Sequence, residues 1–253
     1  MILCANMTLK ARTNNVLVIQ PRLNFDVIAK ERANLRKIVE RIDVKLTFVN
    51  PLQNNKEIQW NNPSDLLHKF GCSIWLGSGD IDLSQQTQVR ERYINRVLPI
   101  VQKILSEDEP AMGICLGHQT FAFAGGAKIE KISNRAETGT TILKLTPEGK
   151  SDVVFHSLPR PISIVYSHKD SVTSLPFGFT ILGYTIRDPY SALRRGKIIT
   201  IQGHPEITNT TNLKKKMALA PQHTLNGYEL TYPVVNPGQT DIIIRNFLNH
   251  VFN

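Results

Sequence analysis

The sequence is poor in cysteine and has no long apolar run. Its 253 residues include three cysteines, Cys4, Cys72 and Cys115, which are odd in number and widely spaced. This pattern excludes a disulfide framework and indicates a reducing compartment, so we expect a cytoplasmic protein. No stretch of about 20 apolar residues exists, so we expect no transmembrane helix and no membrane partner. The short apolar start lacks the basic flank of a signal peptide.

Acidic residues are also fewer than basic ones. The chain has 30 Lys and Arg against 21 Asp and Glu, a net charge of +9. The basic residues are dispersed, and the tight run at 214–216 has no zinc-finger spacing or aromatic RNA-binding motif beside it. We therefore interpret the excess as solvated surface charge and do not expect nucleic acid as a partner. No metal-ligand spacing is present, so we predict no metal and no cofactor.

The most informative stretch is residues 111–119. It predicts a short buried strand, a sharp turn at Cys115 and a helix behind the turn. The block Gly113-x-Cys115-x-Gly117 has the form of a nucleophile elbow with cysteine in place of serine. Glycines on both sides permit close backbone contact, and the helix N-terminus stabilises a thiolate. An ordinary buried cysteine in a β-to-α turn is the alternative interpretation.

A second segment supplies the groups that such a nucleophile needs. The β-branched strand at 198–202 runs into Gly203-His204-Pro205-Glu206. A cysteine nucleophile requires a base, and the base requires an acceptor that orients it. Residues two apart at a strand end lie on the same side, so His204 and Glu206 can form this pair. A loop histidine with an unrelated glutamate is the alternative, which the elbow makes improbable.

These two segments, with residues 76–80 and 166–170, resemble the class I, triad-type glutamine amidotransferase family. They look most like the glutaminase domain of GMP synthetase, and the resemblance covers roughly residues 16–207 plus the final helix. It implies Cys115 as nucleophile, His204 as base and Glu206 as the residue that orients it.

The resemblance also implies the remaining site residues. The amides of Gly79 and Leu116 are the expected oxyanion donors, although the turn at 77–80 departs from the family's Gly-Gly-Pro or Gly-Pro-Gly type. A donor one residue before Gly79 is therefore an alternative. Gln119, Ser167 and His168 are expected to bind the substrate, L-glutamine. We expect His118 to pack or to cap the helix.

Strand–helix alternation up to residue 124 predicts an α/β fold. The expected architecture is an open, mostly parallel sheet with helices on both faces and antiparallel additions, and the resemblance implies a flavodoxin-like core. Pro99 is expected to kink or break a helix at 85–106. The antiparallel strands are predicted at 138–146, 152–155, 163–166 and 180–185.

The chain is predicted to form one domain with additions at both ends. Residues 1–14 are expected to be a loose arm, and 15–253 a single glutamine amidotransferase-like domain. Within that domain, the polar stretch 208–240 is expected to be a lid or a docking insertion. Residues 241–253 are predicted to form a closing helix.

The expected reaction is hydrolysis of the glutamine side-chain amide to glutamate and ammonia through a cysteine thioester. The chain has no P-loop and no Ser-Gly-Gly-x-Asp block, so the acceptor of the ammonia is assigned to a separate synthetase. A stand-alone γ-glutamyl peptidase or hydrolase with the same triad is the second hypothesis. A non-catalytic binding module is the third, and the intact Cys115, His204 and Glu206 argue against it.

Overall fold

The computed structural model describes residues 13–53, 58–208 and 231–253. Most of the predicted arm and most of the predicted insertion therefore lie outside the described residues. The helices are α1 (Phe25–Val39), α2 (Pro63–Leu67), α3 (Gln88–Glu107), α4 (Leu116–Ala124), α5 (Pro147–Ser151) and α6 (Ile242–Phe252). The strands are β1 (Asn15–Ile19), β2 (Lys45–Val49), β3 (Cys72–Trp75), β4 (Ala111–Ile114), β5 (Ile129–Lys131), β6 (Glu137–Leu145), β7 (Ile162–His168), β8 (Asp170–Val172), β9 (Thr180–Tyr184), β10 (Ala192–Arg195) and β11 (Ile198–Ile201).

One mixed sheet organises these elements. Its nine strands have the order β2-β1-β3-β4-β11-β10-β9-β6-β7. The strands from β2 to β11 in this order pair in parallel, and the strands from β11 to β7 pair antiparallel. Strands β5 and β8 form a separate antiparallel pair. The predicted parallel core with antiparallel additions is confirmed.

Helices cover both faces of the parallel part. Successive side chains of a strand point to opposite faces, and β1 is buried on both. Val16 and Val18 belong to an apolar cluster with residues of α1 and α6. Leu17 and Ile19 belong to a second cluster with residues of α3 and α4. The continuous apolar sequence of β1 therefore reflects burial on two sides.

Helix α3 continues through its proline. It forms one α-helix from Gln88 to Glu107 with Pro99 inside it, so the helix is not broken there. The alternative expectation, a kink at Pro99, stays a prediction. The buried stripe of the helix, which includes Val97, Ile100 and Ile104, runs on both sides of Pro99. Packing of this stripe on the sheet outweighs the loss of one backbone hydrogen bond.

The predicted strand at 152–155 is also wrong. Residues Val153–Phe155 form a 3-10 turn that follows α5. The side chain of Thr146 accepts a hydrogen bond from the Gly149 amide, and Pro147 lies at the start of α5. The Pro-Glu-Gly-Lys sequence is thus a capped helical turn, because proline is favoured at the first helical position. Val154 and Phe155 belong to the apolar cluster that includes α6, which fixes the segment by packing.

Candidate active site

The candidate site lies where four neighbouring strands end. Strands β1, β3, β4 and β11 are parallel neighbours, so their carboxyl ends meet at one edge of the sheet. Arg22 follows β1, Gly77 follows β3, Cys115 follows β4 and His204 follows β11. In open α/β sheets this edge is the usual location of ligand sites.

Cys115 has the backbone conformation of an elbow. Its φ of 53° and ψ of −104° are unusual for a residue other than glycine and place it between β4 and α4. A Cβ on Gly113 would lie 2.9 Å from the Gly117 carbonyl carbon, and one on Gly117 would lie 2.3 Å from the Trp75 oxygen. Only glycine fits at these two positions, so the predicted elbow geometry is confirmed.

His204 and Glu206 form the hydrogen-bonded pair that their spacing predicts. Nδ1 of His204 lies 2.7 Å from Oε1 of Glu206. An ionised carboxylate only accepts, so Nδ1 carries the hydrogen of this bond and Nε2 is the ring nitrogen that can exchange a proton. The amide of His204 donates to the Val165 carbonyl at 2.7 Å, and Asn34 Nδ2 donates to the Glu206 carbonyl at 2.6 Å. Strand β7 and helix α1 thus fix the backbone of this pair.

Gly77 brings the cysteine and the histidine together. A Cβ on Gly77 would lie 2.9 Å from Cε1 of His204, 3.0 Å from Cβ of Cys115 and 3.5 Å from its Sγ. Both side chains therefore border the same glycine. Cys115 is 4% exposed and His204 1% exposed, so both side chains are shielded from solvent.

The turn after β3 and the start of α4 contain the predicted oxyanion donors. Leu116 is the first residue of α4, so its amide directly follows Cys115. In the turn at 77–80, Gly77 borders Cys115, and Gly79 lies two residues further along the chain. The roles of Gly79 and Leu116 stay predictions.

Of the predicted substrate-binding residues, Ser167 contacts Cys115 through its backbone, and the side chains of Gln119 and His168 are bound to protein groups. The Ser167 carbonyl is 3.9 Å from Sγ of Cys115. Nε2 of Gln119 donates to the Asp170 carbonyl at 2.8 Å and to Oε1 of Gln202 at 3.0 Å. Gln119 is therefore part of a buried network, and its predicted contact with substrate stays a prediction.

His118 is buried, as expected for a packing residue. Its Nδ1 lies 2.9 Å from the Thr200 hydroxyl. Burial, with the nearby charge of His168, lowers the pKa of His118 to about 3. It is therefore neutral at physiological pH.

A buried charged cluster behind the site escaped the sequence interpretation. Glu137, His168 and Asp188 place one ligand atom each within 4.8 Å of one another, an arrangement that also suits a metal ion. His168 Nδ1 faces the Asp170 carbonyl at 3.0 Å and Nε2 faces Glu137 at 3.3 Å. The Asp170 carbonyl can only accept, so Nδ1 of His168 carries a hydrogen, and Nε2 lies within hydrogen-bonding distance of the Glu137 carboxyl group.

The pKa values in this cluster follow from burial and charge. Burial opposes the imidazolium, but the hydrogen bond and charge of Glu137, with Asp188 and Cys115, raise the pKa of His168. Burial raises the pKa of Asp188 to about 6. Only the topology brings these residues together, because Glu137 opens β6, His168 ends β7 and Asp188 lies between β9 and β10.

Arg22 is a second residue that the sequence interpretation missed. It is 3% exposed and pairs with Glu31 of α1, with Nη2 and Oε1 2.7 Å apart. Its Nη1 donates to the Ser78 hydroxyl at 3.4 Å, which connects β1 to the turn at 77–80. The available signal was its position three residues after the end of an apolar strand, at the edge where the site forms.

Among the helices that the structure describes, none is long and apolar enough to cross a membrane.

Comparisons with known proteins indicate the family of the chain. Residues 26–220 match the model of the class-I glutamine amidotransferase family. The GMP synthase (glutamine-hydrolyzing) of Thermosipho africanus is 38% identical over 110 residues, which are 43% of this chain and 20% of that protein. The corresponding enzyme of Aquifex aeolicus is 35% identical over 111 residues, 43% of this chain and 21% of that protein. The matched part is thus about a fifth of the length of these relatives.

The fold is similar to solved structures along nearly the whole chain. A glutamine amidotransferase from Thermotoga maritima aligns with a TM-score of 0.67 and 16% identity, over 94% of this chain and 98% of that one. At this identity the likeness shows the shared fold. Taken with the match of residues 26–220, it leads to one assignment: the chain belongs to the class-I glutamine amidotransferase family.

Proposed function

We propose that the chain hydrolyses the side-chain amide of glutamine, with Cys115 as nucleophile, His204 as base and Glu206 as its orienting partner. The observation that carries this proposal is the meeting of a cysteine elbow and a His–Glu pair at one glycine. Membership of the family supports glutamine as the substrate. The hydrogen bond of 2.7 Å between His204 and Glu206 supports the division of their roles.

The proposed reaction is acyl transfer from nitrogen to sulfur and then to water. His204 takes the proton of the Cys115 thiol, and the resulting thiolate attacks the amide carbon. The carbon–nitrogen bond then breaks as His204 gives this proton to the leaving ammonia. His204 next takes a proton from water, which attacks the thioester. The carbon–sulfur bond then breaks, glutamate leaves and the thiolate is restored.

Backbone amides are proposed to hold the negative oxygen of the tetrahedral intermediates. The Leu116 amide lies at the N-terminus of α4, where unpaired N–H groups and the helix dipole favour an anion. The second donor is proposed to come from the turn at 77–80, with Gly79 as the predicted residue. Gln119, Ser167 and His168 are proposed to contribute to the glutamine pocket.

The ammonia is proposed to serve a separate synthetase. The curated relatives are named GMP synthase, and the matched segment is about a fifth of their length. This proportion supports a glutaminase part that works with an acceptor-activating part.

The direct test is release of glutamate and ammonia from free glutamine by the purified chain. We expect measurable hydrolysis that Cys115→Ala abolishes without unfolding the protein. Cys72→Ala is the matched control, because Cys72 is a buried thiol in β3 that the mechanism does not use. That variant should keep activity and lose some stability through a small cavity.

The same assay discriminates the rival γ-glutamyl peptidase hypothesis. A peptidase should act strongly by itself and prefer a γ-glutamyl dipeptide to glutamine. A large preference for the dipeptide would replace the glutaminase proposal. Full activity of Cys115→Ala on either substrate would reject the nucleophile.

A further inference from the structure

We propose that Arg22 is a positioning residue for Cys115: it fixes the turn at 77–80 against the thiol and places a buried positive charge beside it. The inference rests on the proposed role of Cys115 as nucleophile. It adds a residue that neither the sequence motifs nor the family match indicates.

The guanidinium of Arg22 is held rigidly. Its Nε and Nη2 donate to Oε1 of Glu31 at 3.0 and 2.7 Å, and Nη1 donates to Ser78 Oγ at 3.4 Å. The Arg22 carbonyl accepts from Asn50 Nδ2 at 2.6 Å. A planar guanidinium that is bound along several edges loses its freedom to turn away, which a lysine ammonium retains.

Two consecutive residues hold the turn. Beside the contact of Arg22 with Ser78, the Leu23 amide donates to Oδ2 of Asp80 at 3.1 Å. Gly77 begins this turn and borders both Cys115 and His204. The residues that follow β1 therefore fix the position of Gly77, which borders both the thiol and the imidazole.

The charge of Arg22 acts on the thiol as well. Burial opposes a charged guanidinium, but Glu31, Asp80 and Cys115 raise the pKa of Arg22. This coupling is mutual, so the guanidinium stabilises the Cys115 thiolate. Glu31 neutralises only part of the charge, because its side chain is 21% exposed whereas that of Arg22 is 4% exposed.

Other charged groups also act at the thiol. His204 and Glu206 approach from the end of β11, and the His168–Glu137 pair approaches from β7 and β6. Asp80 lies on the turn itself and opposes a thiolate. An experiment on Arg22 must therefore leave these groups in place and change one charge at a time.

The test is the pH dependence of Cys115 alkylation by iodoacetamide, mapped by mass spectrometry on the full chain. In Arg22→Met the midpoint should rise by about one pH unit, because an opposite charge near an acid lowers its pKa by 1 to 3 units. In Glu31→Gln the midpoint should fall, because the guanidinium loses its neutralising partner. Arg22→Lys should restore part of the shift.

The control is Arg36→Met, which removes a positive charge from α1 where the guanidinium lies over the Phe48 ring. Its midpoint should stay at the wild-type value. An unchanged midpoint in Arg22→Met, or an upward shift in both Arg22→Met and Glu31→Gln, would overturn the proposal, because damage to packing moves both variants alike. If Arg22→Met does not fold, the downward shift in Glu31→Gln decides the question.

Alkylation does not require glutamine, so this test is separate from the proposed function. Suppose that the chain hydrolyses no glutamine, but its alkylation midpoint rises in Arg22→Met and falls in Glu31→Gln. This result contradicts the glutaminase proposal and supports the role of Arg22 beside the thiol. If the chain hydrolyses glutamine and the midpoint does not shift in these variants, the glutaminase proposal is supported and the role of Arg22 is contradicted.

Discussion

At the scale of single residues, Gly77 lies against both Cys115 and His204 and leaves no room for a side chain of its own. A side chain there would lie 2.9 Å from the His204 ring and 3.0 Å from Cβ of Cys115, which is too close for either neighbour to stay in place. The residue therefore has a steric role in the site, although it takes part in no chemistry.

We predict that Gly77→Ala lowers glutamine turnover by about a hundredfold, because small displacements of reacting groups carry a cost of this size. The free energy of unfolding should fall by roughly 1 to 3 kcal/mol. Gly126→Ala is the control: its φ is +84°, and no atom of the described residues lies within 4 Å of the added Cβ. It should cost about 1 kcal/mol and keep the turnover. Equal loss of turnover in both variants would refute the steric role of Gly77.

His204 and Glu206 are expected to differ in how much activity they carry. His204→Asn should remove nearly all turnover, because it removes the group that moves the proton. Glu206→Gln should cost less, because it keeps the shape of the side chain and weakens only the orientation of the imidazole. Initial rates of glutamate release measure both effects. A larger loss in Glu206→Gln would contradict the division of roles.

His118 should make the fold sensitive to acid. Its pKa is about 3 in the native protein against 6.5 for an ordinary histidine. Between these values the unfolded chain binds a proton that the native state refuses, so stability falls as the pH decreases below 6.5. From pH 7 to pH 5 the loss from this residue should be about 2 kcal/mol. Denaturant unfolding of wild type and His118→Gln at both pH values tests this, since the variant should lose less.

At the scale of elements, helix α3 continues through Pro99 because packing outweighs the tendency of proline to interrupt a helix. Pro99 is exposed and lies inside the helix, where it provides no N–H for the Asn95 carbonyl. The apolar stripe of the helix is buried in the cluster with Leu17 and Ile19 of β1. Burial of this stripe maintains a helix that the proline by itself would interrupt.

Pro99→Ala should therefore stabilise the protein by roughly 1 to 3 kcal/mol, because it restores a hydrogen bond and removes a ring clash. Gln102→Ala, another exposed change on α3, should alter stability by less than about 0.5 kcal/mol. Denaturant unfolding with an unchanged m-value is the measurement. A loss of stability in Pro99→Ala would mean that the ring makes packing contacts that compensate for its cost.

Strand order creates the site at this scale as well. The four strand ends that carry Arg22, Gly77, Cys115 and His204 are neighbours only because β11 returns to the sheet beside β4. This pairing aligns Ile201 with Ile114, so the histidine segment leaves the sheet next to the elbow. Helix α1 then supports both sides of the site, through Glu31 to Arg22 and through Asn34 to Glu206.

At the scale of the whole molecule, the main expectation concerns a partner. We predict weak glutamine hydrolysis by the isolated chain and an increase when a synthetase with an acidic docking face is added, since a partner can order an incomplete site. Salt should weaken this activation if the basic run at 214–216 takes part, because exposed charges are screened beyond ~8 Å at physiological ionic strength. Rates with and without the synthetase, at low and high salt, test this expectation. Strong activity of the chain alone would contradict it.

The sequence by itself determined those structural elements and site residues whose geometry is set by residues close to them in the chain. Continuous apolar strands, the glycines around Cys115 and the two-residue spacing of His204 and Glu206 are local features, so their geometry could be predicted. The tertiary structure alone decided the contacts between distant segments. Arg22 meets the turn at 77–80, and Glu137 meets His168 and Asp188, because strands that are far apart in sequence become neighbours in the sheet. It also decided that Pro99 stays within a helix and that Val153–Phe155 forms no strand, because burial of apolar side chains there outweighs local preference.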